Sequence, residues 1–452
     1  METEQKAIEH SAMTIEYLRT KYTNAQLFDW MEGRVRASLY ATYTLAYDMA
    51  KRAEMAYAFE RGGAADDPGA SFVGAGTWDA AHDGLLCGDA LYLGLKKMDA
   101  AYVETRGHDF EITRHVSLRA LTPLGLLHLR AKGTVDFALP ELLFDMDFPG
   151  HYRRRLRSVS LSLPCVVGPY TSVSATLRLL AHRYRYSALG AGGAGDYAEA
   201  PGGADARFRT SLVPTTAIAA GSSAQGDAGV FELNFRDERY LPFEGAGAVS
   251  QWRLELPADV RLFDYDSIAD VLLQVRYTAA DGGAGLQQAA ADATKAFLGR
   301  IADSSGAAPL VALLDLKNDF SAEWHRFAAG TGAAGTNGAR TLTLAQLTSR
   351  LPFYARPVAG RSPVASRVVL VPEAALATGW GASLRSGTAA ATALTEVEGG
   401  ELPFMQDAAV TMGLDQDWVL ELAPTDGAAA GLGALERMWL VVYYSLRPTK
   451  SR

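Results

Sequence analysis

Near residue 109 the hydrophobic period of this chain changes from helical to alternating, and that single switch constrains the fold more than any motif does. Upstream, Ile8, Ile15, Leu18 and Tyr22 keep near-helical spacing. Downstream, Phe110 and Ile112, then Val116 and Leu118, alternate with polar residues as a half-buried strand does. Helices first and strands afterwards predict an α+β chain: N-terminal long helices, then an antiparallel β-sandwich and a smaller C-terminal β domain.

The helical part, over residues 4–61, is punctuated at Thr23. Thr23-Asn24-Ala25-Gln26 fits a capping box, with Thr23 as N-cap and Gln26 reaching back. A second helix then runs from Asn24 to Glu60 with Leu27, Trp30, Val35, Leu39, Tyr43, Ala46 and Ala50 on an apolar stripe. Gly33 weakens it slightly. Tyr40, Tyr43, Tyr47, Tyr57 and Phe59 make this helix too aromatic for a solvated one. Burial is expected, in this chain or against a second copy, and Trp30, Tyr40, Tyr43 and Tyr47 are the candidate oligomer contacts. The alternative is an ordinary intrachain bundle core. Residues 61–76 read as a Gly/Ala/Asp/Pro loop. Thr77 then caps a helix over 78–102, on which Gly84, Gly88 and Gly94 would permit close helix approach.

Strand-like runs recur at 134–139, 157–163, 171–180, 206–213, 229–236, 250–256 and 270–277, with Gly and Pro turn signals between them. One helix is expected near 286–302. Strands return at 309–316, 340–346, 366–371, 417–423 and 437–446, separated by low-complexity Ala/Gly/Thr loops, 328–339 and 379–393, expected to be mobile. The domains drawn from this are a helical segment 1–105, a β-sandwich 106–280, a linker with one helix 281–308 and a C-terminal β domain 309–452.

With 43 basic and 51 acidic residues the chain carries a net charge of -8. That balance argues against a nucleic-acid partner, whose phosphates demand a basic face. Two cysteines, Cys87 and Cys165, make no disulfide framework and no CxxC metal spacing, and both are expected to be buried thiols. The acidic, amphipathic start METEQKAIEH is no Sec signal, and no apolar run approaches the roughly 18–20 residues a membrane helix needs. Direct membrane insertion by this chain alone is therefore not expected.

His82, His108, His115, His128, His151, His182 and His325 are scattered without an HExxH pair, and no GxSxG or P-loop occurs. Asp145 and Asp147 in LFDMDFPG have the look of paired acid–base carboxylates, but a turn after a strand explains them better. No catalytic residue, metal or cofactor is expected, and the chain reads as a non-enzyme.

Two charged clusters remain. Arg236-Asp237-Glu238-Arg239, followed by Glu244 beside a Gly-rich turn, has charges of both signs that would fix register against a partner; the alternative is an intramolecular turn network. Arg153, Arg154, Arg155 and Arg157 form the densest basic run, suited to carboxylates on a partner surface, or else a solvated strand.

Several blocks, in order, resemble a known family. They are KYTNAQLFDW with MEGR (residues 21–34), Met55-Ala56-Tyr57 with Phe59-Glu60, Trp78, GLLCGD (84–89) and FEITRHVSL (110–118). FPGHY (148–152), RSVSLSLP (157–164), VGPY (167–170), FELNFRDERYLPFEGAGAVSQWRLELP (231–257) and FDYDSIADVLLQVRYT (263–278) continue the series. Together they are similar to the C-terminal part of the A subunit of the Tc (toxin complex) insecticidal toxins, closely to about residue 280, loosely through Asp319-Phe320 and 323–327, and weakly beyond.

The resemblance implies a secreted or cell-surface toxin component, without a Sec signal, acting at the host membrane. In that family the A subunit is a homopentamer whose central helical channel crosses the host membrane. Its wide end receives a B subunit that, with C, encloses the cargo in a cocoon. Residues 1–105 would be the returning arm and base of the channel hairpin, and 106–280 the sandwich that docks the B subunit. Met1 falls where the family's chain is already on the return arm, so the sequence reads as an excised piece, as one half of a split subunit whose other regions lie on a separate chain, or as a degenerate fragment, and all three stay open. Two other classes are open. One is a carbohydrate-binding β-sandwich, with Trp252 and Trp439 as its first suspects; the other is a stand-alone structural or adaptor protein.

Overall fold

The computed structural model describes residues 2–448 except 22–23, 62–70, 75–77, 80–81, 83, 106, 169–170, 172, 189–196, 200–204, 206, 213, 223–240, 258–260, 304–309, 331–338, 353–354, 357–360, 377–378, 398–401, 426–434 and 436. The chain is α+β and divides into two compact units, Met1–His108 and Asp109–Arg452.

The first unit is helical. α1 (Glu2–Thr20) and α2 (Asn24–Glu60) lie where the spacing predicts them, although Thr23, the expected cap, lies outside the described residues. α1 buries nothing. On α2 only Ala50, Glu54, Tyr57 and Ala58 are buried, and Leu27, Trp30, Val35 and Leu39 all stay exposed within the chain. α3 (Cys87–Thr105) begins later than expected. Gly84 and Leu86 both take left-handed backbone (φ 75° and 66°), which a right-handed helix cannot continue through. Trp78 lies against Gly84, where a Cβ would sit 2.4 Å from the indole. Among the described residues none of the three glycines meets another helix as expected: Gly88 has nothing within 4 Å, and Gly94 lies against the backbone of Phe72 in the preceding loop.

Glu54 holds that loop to α2. Its carboxylate accepts from the Phe72 N–H, from the Val73 N–H at 3.0 Å and from Lys51 Nζ at 2.7 Å. Burial pushes this carboxyl up, but Lys51 and the two N–H groups together bring it below the ordinary glutamate value.

Among the described residues the second unit forms three sheets. β1 (Phe110–Ser117), β3 (His151–Ser162) and β8 (Leu272–Asp281) form an antiparallel sheet in the order β1-β8-β3. Between β1 and β3 come two short helices, α4 (Leu118–Leu121) and α5 (Pro123–Lys132), then strand β2 (Thr134–Leu139) and α6 (Glu141–Asp145). A second sheet joins β2 to β7 (Val249–Glu255) and β7 to β4 (Val173–Arg185). β5 (Phe208–Ser211) and β6 (Thr215–Ser222) pair with successive lengths of β4.

Period-two burial is clean in β2, β7 and β8. Val135, Phe137 and Leu139 point inward from β2, Trp252 and Leu254 from β7, and Leu273, Val275 and Tyr277 from β8, all in one hydrophobic cluster.

After helix α7 (Gly283–Asp303) comes β9 (Leu310–Asp315), helices α8 (Leu316–Asp319) and α9 (Ser321–Ala329), and strands β10 (Arg340–Leu344), β11 (Arg361–Pro372), β12 (Trp380–Ser386), β13 (Thr392–Glu396), β14 (Gln406–Gly413), β15 (Trp418–Pro424) and β16 (Met438–Pro448). These eight strands form one antiparallel sheet, β10-β15-β12-β13-β14-β11-β16-β9. Residues 379–393, expected to be a mobile loop, are in fact β12, a turn and the start of β13. The inward positions of β12 are Ala382, Leu384 and Ser386, and the two small ones conceal the alternation. β6 and β14 were equally unmarked in the sequence, and the expected strand at 229–236 lies outside the described residues.

Cys87 is buried as expected, but Cys165 is only half-buried. Among the described residues, no helix is long and apolar enough to cross a bilayer, and no three His, Cys, Asp or Glu side chains are placed to hold a metal.

Candidate docking surface

The basic run at the start of β3 does not stay together as a surface. Arg153 takes a left-handed backbone (φ 49°), and the β3–β8 register slips between Tyr152 and Arg155. This bulge re-aims the next side chain. Arg154 turns inward, 3% exposed, and donates to Asp145 at 2.6 Å and to the Phe148 carbonyl at 2.9 Å. A partner cannot reach it, which corrects the sequence expectation for this residue. Asp145, at the end of α6, is equally buried, and burial pushes its carboxyl up to about 6 against the pull of Arg154. Asp147 pairs instead with Arg114. The two aspartates therefore serve two separate ion pairs and do not face a common substrate.

Arg153 lies over the Tyr152 ring and 3.7 Å from Asp109; Arg155 is half-buried and bridges by backbone to Gly247. Arg157 faces solvent, 3.9 Å from Glu244, and both side chains are about half exposed. The structure thus brings one residue of the basic run to one residue of the mixed-charge cluster. Arg236, Asp237, Glu238 and Arg239 themselves lie outside the described residues.

The turn that carries Glu244 is firmly held. Gly245 N–H donates to the Leu156 carbonyl, Leu156 N–H to Ala246, and Ala248 N–H to Arg154, at 2.8, 2.7 and 2.9 Å. This segment runs beside β3 and then enters β7, so it links the first two sheets. Gly247 is required there, because a Cβ would lie 2.1 Å from the Arg183 carbonyl oxygen. Beneath the turn, Phe243 meets Trp252 edge-on at 4.8 Å.

Trp252 is 0% exposed, and Trp439 is 4% exposed. Neither can present a face to a sugar, so the suspected carbohydrate site is not at these residues.

Sequence reasoning missed two features of this unit. One is an exposed aromatic stack in which the His151 imidazole lies nearly parallel to both Phe110 and Phe148, at 5.1 and 5.4 Å. The other is a cavity of about 730 Å³ between α5 and the β2–β7 pair, edged by His128, Lys132, Asp136, Arg253 and Glu255. Arg253 grips Asp136 with two bonds of 2.6 and 2.7 Å and holds its carboxyl below the usual range. His128 and Lys132 stand one turn apart on a helix whose Pro123 and Gly125 made it unreadable as one.

On the helical unit, the four proposed oligomer contacts separate. Trp30 and Tyr40 are exposed, 57% and 54%, whereas Tyr43 and Tyr47 are half-buried within the unit. Trp78 meets Tyr40 edge-on at 5.0 Å and tilts onto Tyr43 at 5.2 Å, while Tyr43 stacks on Tyr47. Part of the aromatic stripe is thus satisfied intramolecularly.

Residues 1–279 match the family described as the Tc toxin complex TcA C-terminal TcB-binding domain. The chain belongs to that family. It is 34% identical over 300 residues to the toxin subunit YenA2 of Yersinia entomophaga, covering 63% of this chain and 21% of that protein. It therefore spans about a fifth of the length of that curated relative. Among solved structures it is similar to Morganella morganii TcdA4, 25% identical with TM-score 0.40, over 62% of this chain and 12% of that one. It is also similar to Yersinia pseudotuberculosis TcaA-TcaB, 21% identical with TM-score 0.41, over 61% and 15%. α7 and β9 to β16 lie beyond the family match.

Proposed function

We propose that this chain is the C-terminal, docking portion of a Tc toxin A component, a non-enzymatic part that forms the base of a translocation channel and receives a TcB subunit with its cargo cocoon. The match of residues 1–279 to a TcB-binding domain carries this reading. The sheets β1-β8-β3 and β2-β7-β4 are the two layers of the proposed receiving sandwich, with Arg157 and Glu244 on its rim. The exposed apolar residues of α1 and α2, among them Ile15, Leu18, Phe28, Trp30 and Val35, call for covering by further copies around a channel axis. The assembled subunit is proposed to be a homopentamer, secreted and acting at the host membrane.

Size exclusion with light scattering tests this. A mass near five times 48.3 kDa for the chain by itself, and co-elution with a purified B–C cocoon once the remaining A-subunit regions are supplied, are the expected results. A folded chain that neither assembles nor captures the cocoon would overturn the reading. Exchanging Arg236, Asp237, Glu238 and Arg239 together for alanine is expected to weaken capture about tenfold, chiefly through slower association. Unchanged capture would assign those residues to the turn alone.

A further inference from the structure

Residues beyond the family match do not form a free module. The eight-stranded sheet has both faces buried along β9, β11 and β16. Leu314, Leu370, Leu440 and Val442 face its own second core, while Leu313, Val369, Val371 and Val441 face the other way into the cluster built by the family portion. There they share a core with Leu118 of α4, Leu126 and Leu129 of α5, and Ile268. Strands buried on both faces lie inside a structure and do not end it.

Polar groups close the same seam. Arg130 of α5 is 4% exposed; its Nε donates to the Ile268 carbonyl at 2.8 Å, and its guanidinium lies over the Trp439 ring at 5.1 Å. Arg437, just before β16, lies over that ring at 5.2 Å, donates to the Asp266 carbonyl at 2.7 Å and pairs with Asp315 at the end of β9. Arg119 of α4 donates to the Leu313 carbonyl at 3.1 Å and reaches Asp319. Burial, and then Arg437, bring the Arg130 guanidinium down to about 10. A buried cation and a partly buried one held this close are tolerable only with their acceptors fixed, so the seam has little freedom to open.

We infer that the C-terminal sheet, β9 to β16, is a permanent intramolecular partner of the family portion. It closes the face made by α4, α5 and the turn Tyr265–Ser267 to outside partners, TcB included. The statement about TcB rests on the docking reading above; the permanence of the seam does not. Docking is then confined to surfaces away from this seam, such as the Arg157–Glu244 rim.

The test inserts a site-specific protease sequence between Asp303 and Leu310 of the full chain. After cleavage the two pieces are expected to co-elute at the intact mass without loss of either, separating only in denaturant. Release of the C-terminal piece under native conditions would overturn the inference. A second arm measures hydrogen–deuterium exchange of the uncut chain with and without a purified B–C cocoon. Protection is expected to arise outside α4, α5 and residues 265–267. New protection on those elements, together with faster exchange in β16, would show the sheet being displaced and would equally overturn it. If the cocoon does not bind, the docking reading fails, and the cleavage arm still decides the seam.

Discussion

Replacing Asp145 with alanine is expected to lower the unfolding free energy by about 3–5 kcal/mol, because it strands a buried guanidinium. Arg154 would keep only the Phe148 carbonyl and the Phe144 ring, 5.9 Å from its Cζ. Chemical denaturation of wild type and D145A measures this directly. Replacing both residues, as D145L with R154M, should recover most of the loss, since no charge is then left without a partner.

The pair also gives a pH signature with a definite sign. The folded carboxyl, raised by burial to about 6, binds its proton more tightly than the unfolded one near 3.8. That group's contribution to stability is complete below the unfolded value and disappears as pH rises through about 6. Relative to D145N, wild type should therefore lose stability between about pH 4 and pH 6. A difference that grows with pH instead would show that Arg154 outweighs desolvation at this position.

Trp252→Ala is the second large effect, about 3–5 kcal/mol, from lost burial and an unfilled cavity. The indole is fully enclosed. Its Nε1 donates to Ser250 Oγ at 2.7 Å, and that hydroxyl donates in turn to the Ala248 carbonyl at 2.8 Å. The alanine variant removes the ring under Phe243 and leaves the turn bearing Glu244 to its backbone hydrogen bonds alone. W252F keeps most of the volume, loses one hydrogen bond, and should cost less than half as much. Denaturation midpoints with an unchanged m value would check both. A destabilisation below about 1 kcal/mol for W252A would contradict the packing described here.

Much of this fold is legible in the sequence where inward residues are large. β2 and β7 show alternation because Val135, Phe137, Leu139, Trp252 and Leu254 occupy every second position, and β16 shows as an apolar run because both its faces are buried. β12 stays hidden because Ala382 and Ser386 flank its one large inward residue, Leu384, and a small inward residue contrasts little with a polar outward one; β14 carries Ala408 and Ala409 in succession, which face opposite ways, so only Val410 and Met412 mark its inward face. α5 is masked by Pro123 at its start and Gly125 within it, although Gly133 in left-handed conformation closes it as a helix-ending glycine should.

The site was harder to read than the fold. Arg153 to Arg157 looks like one solvated stripe, and two slips of the β3–β8 register, at Arg153 and at Arg157, together with the strand's alternation set the buried Arg154 apart from the exposed Arg157. No local pattern announces these slips. Asp145, nine residues upstream, was the one available sign that a buried arginine had a partner. The seam involving Trp439 and Arg130 links residues far apart in sequence, which no periodicity reveals.

The claim that this chain receives a TcB subunit is tested most directly by its dissociation constant on an immobilised B–C cocoon, measured at physiological salt with the remaining A-subunit regions supplied. Saturable binding at or below about 1 μM is predicted. No saturation up to about 100 μM, with the chain shown folded by its unfolding transition, would contradict the account.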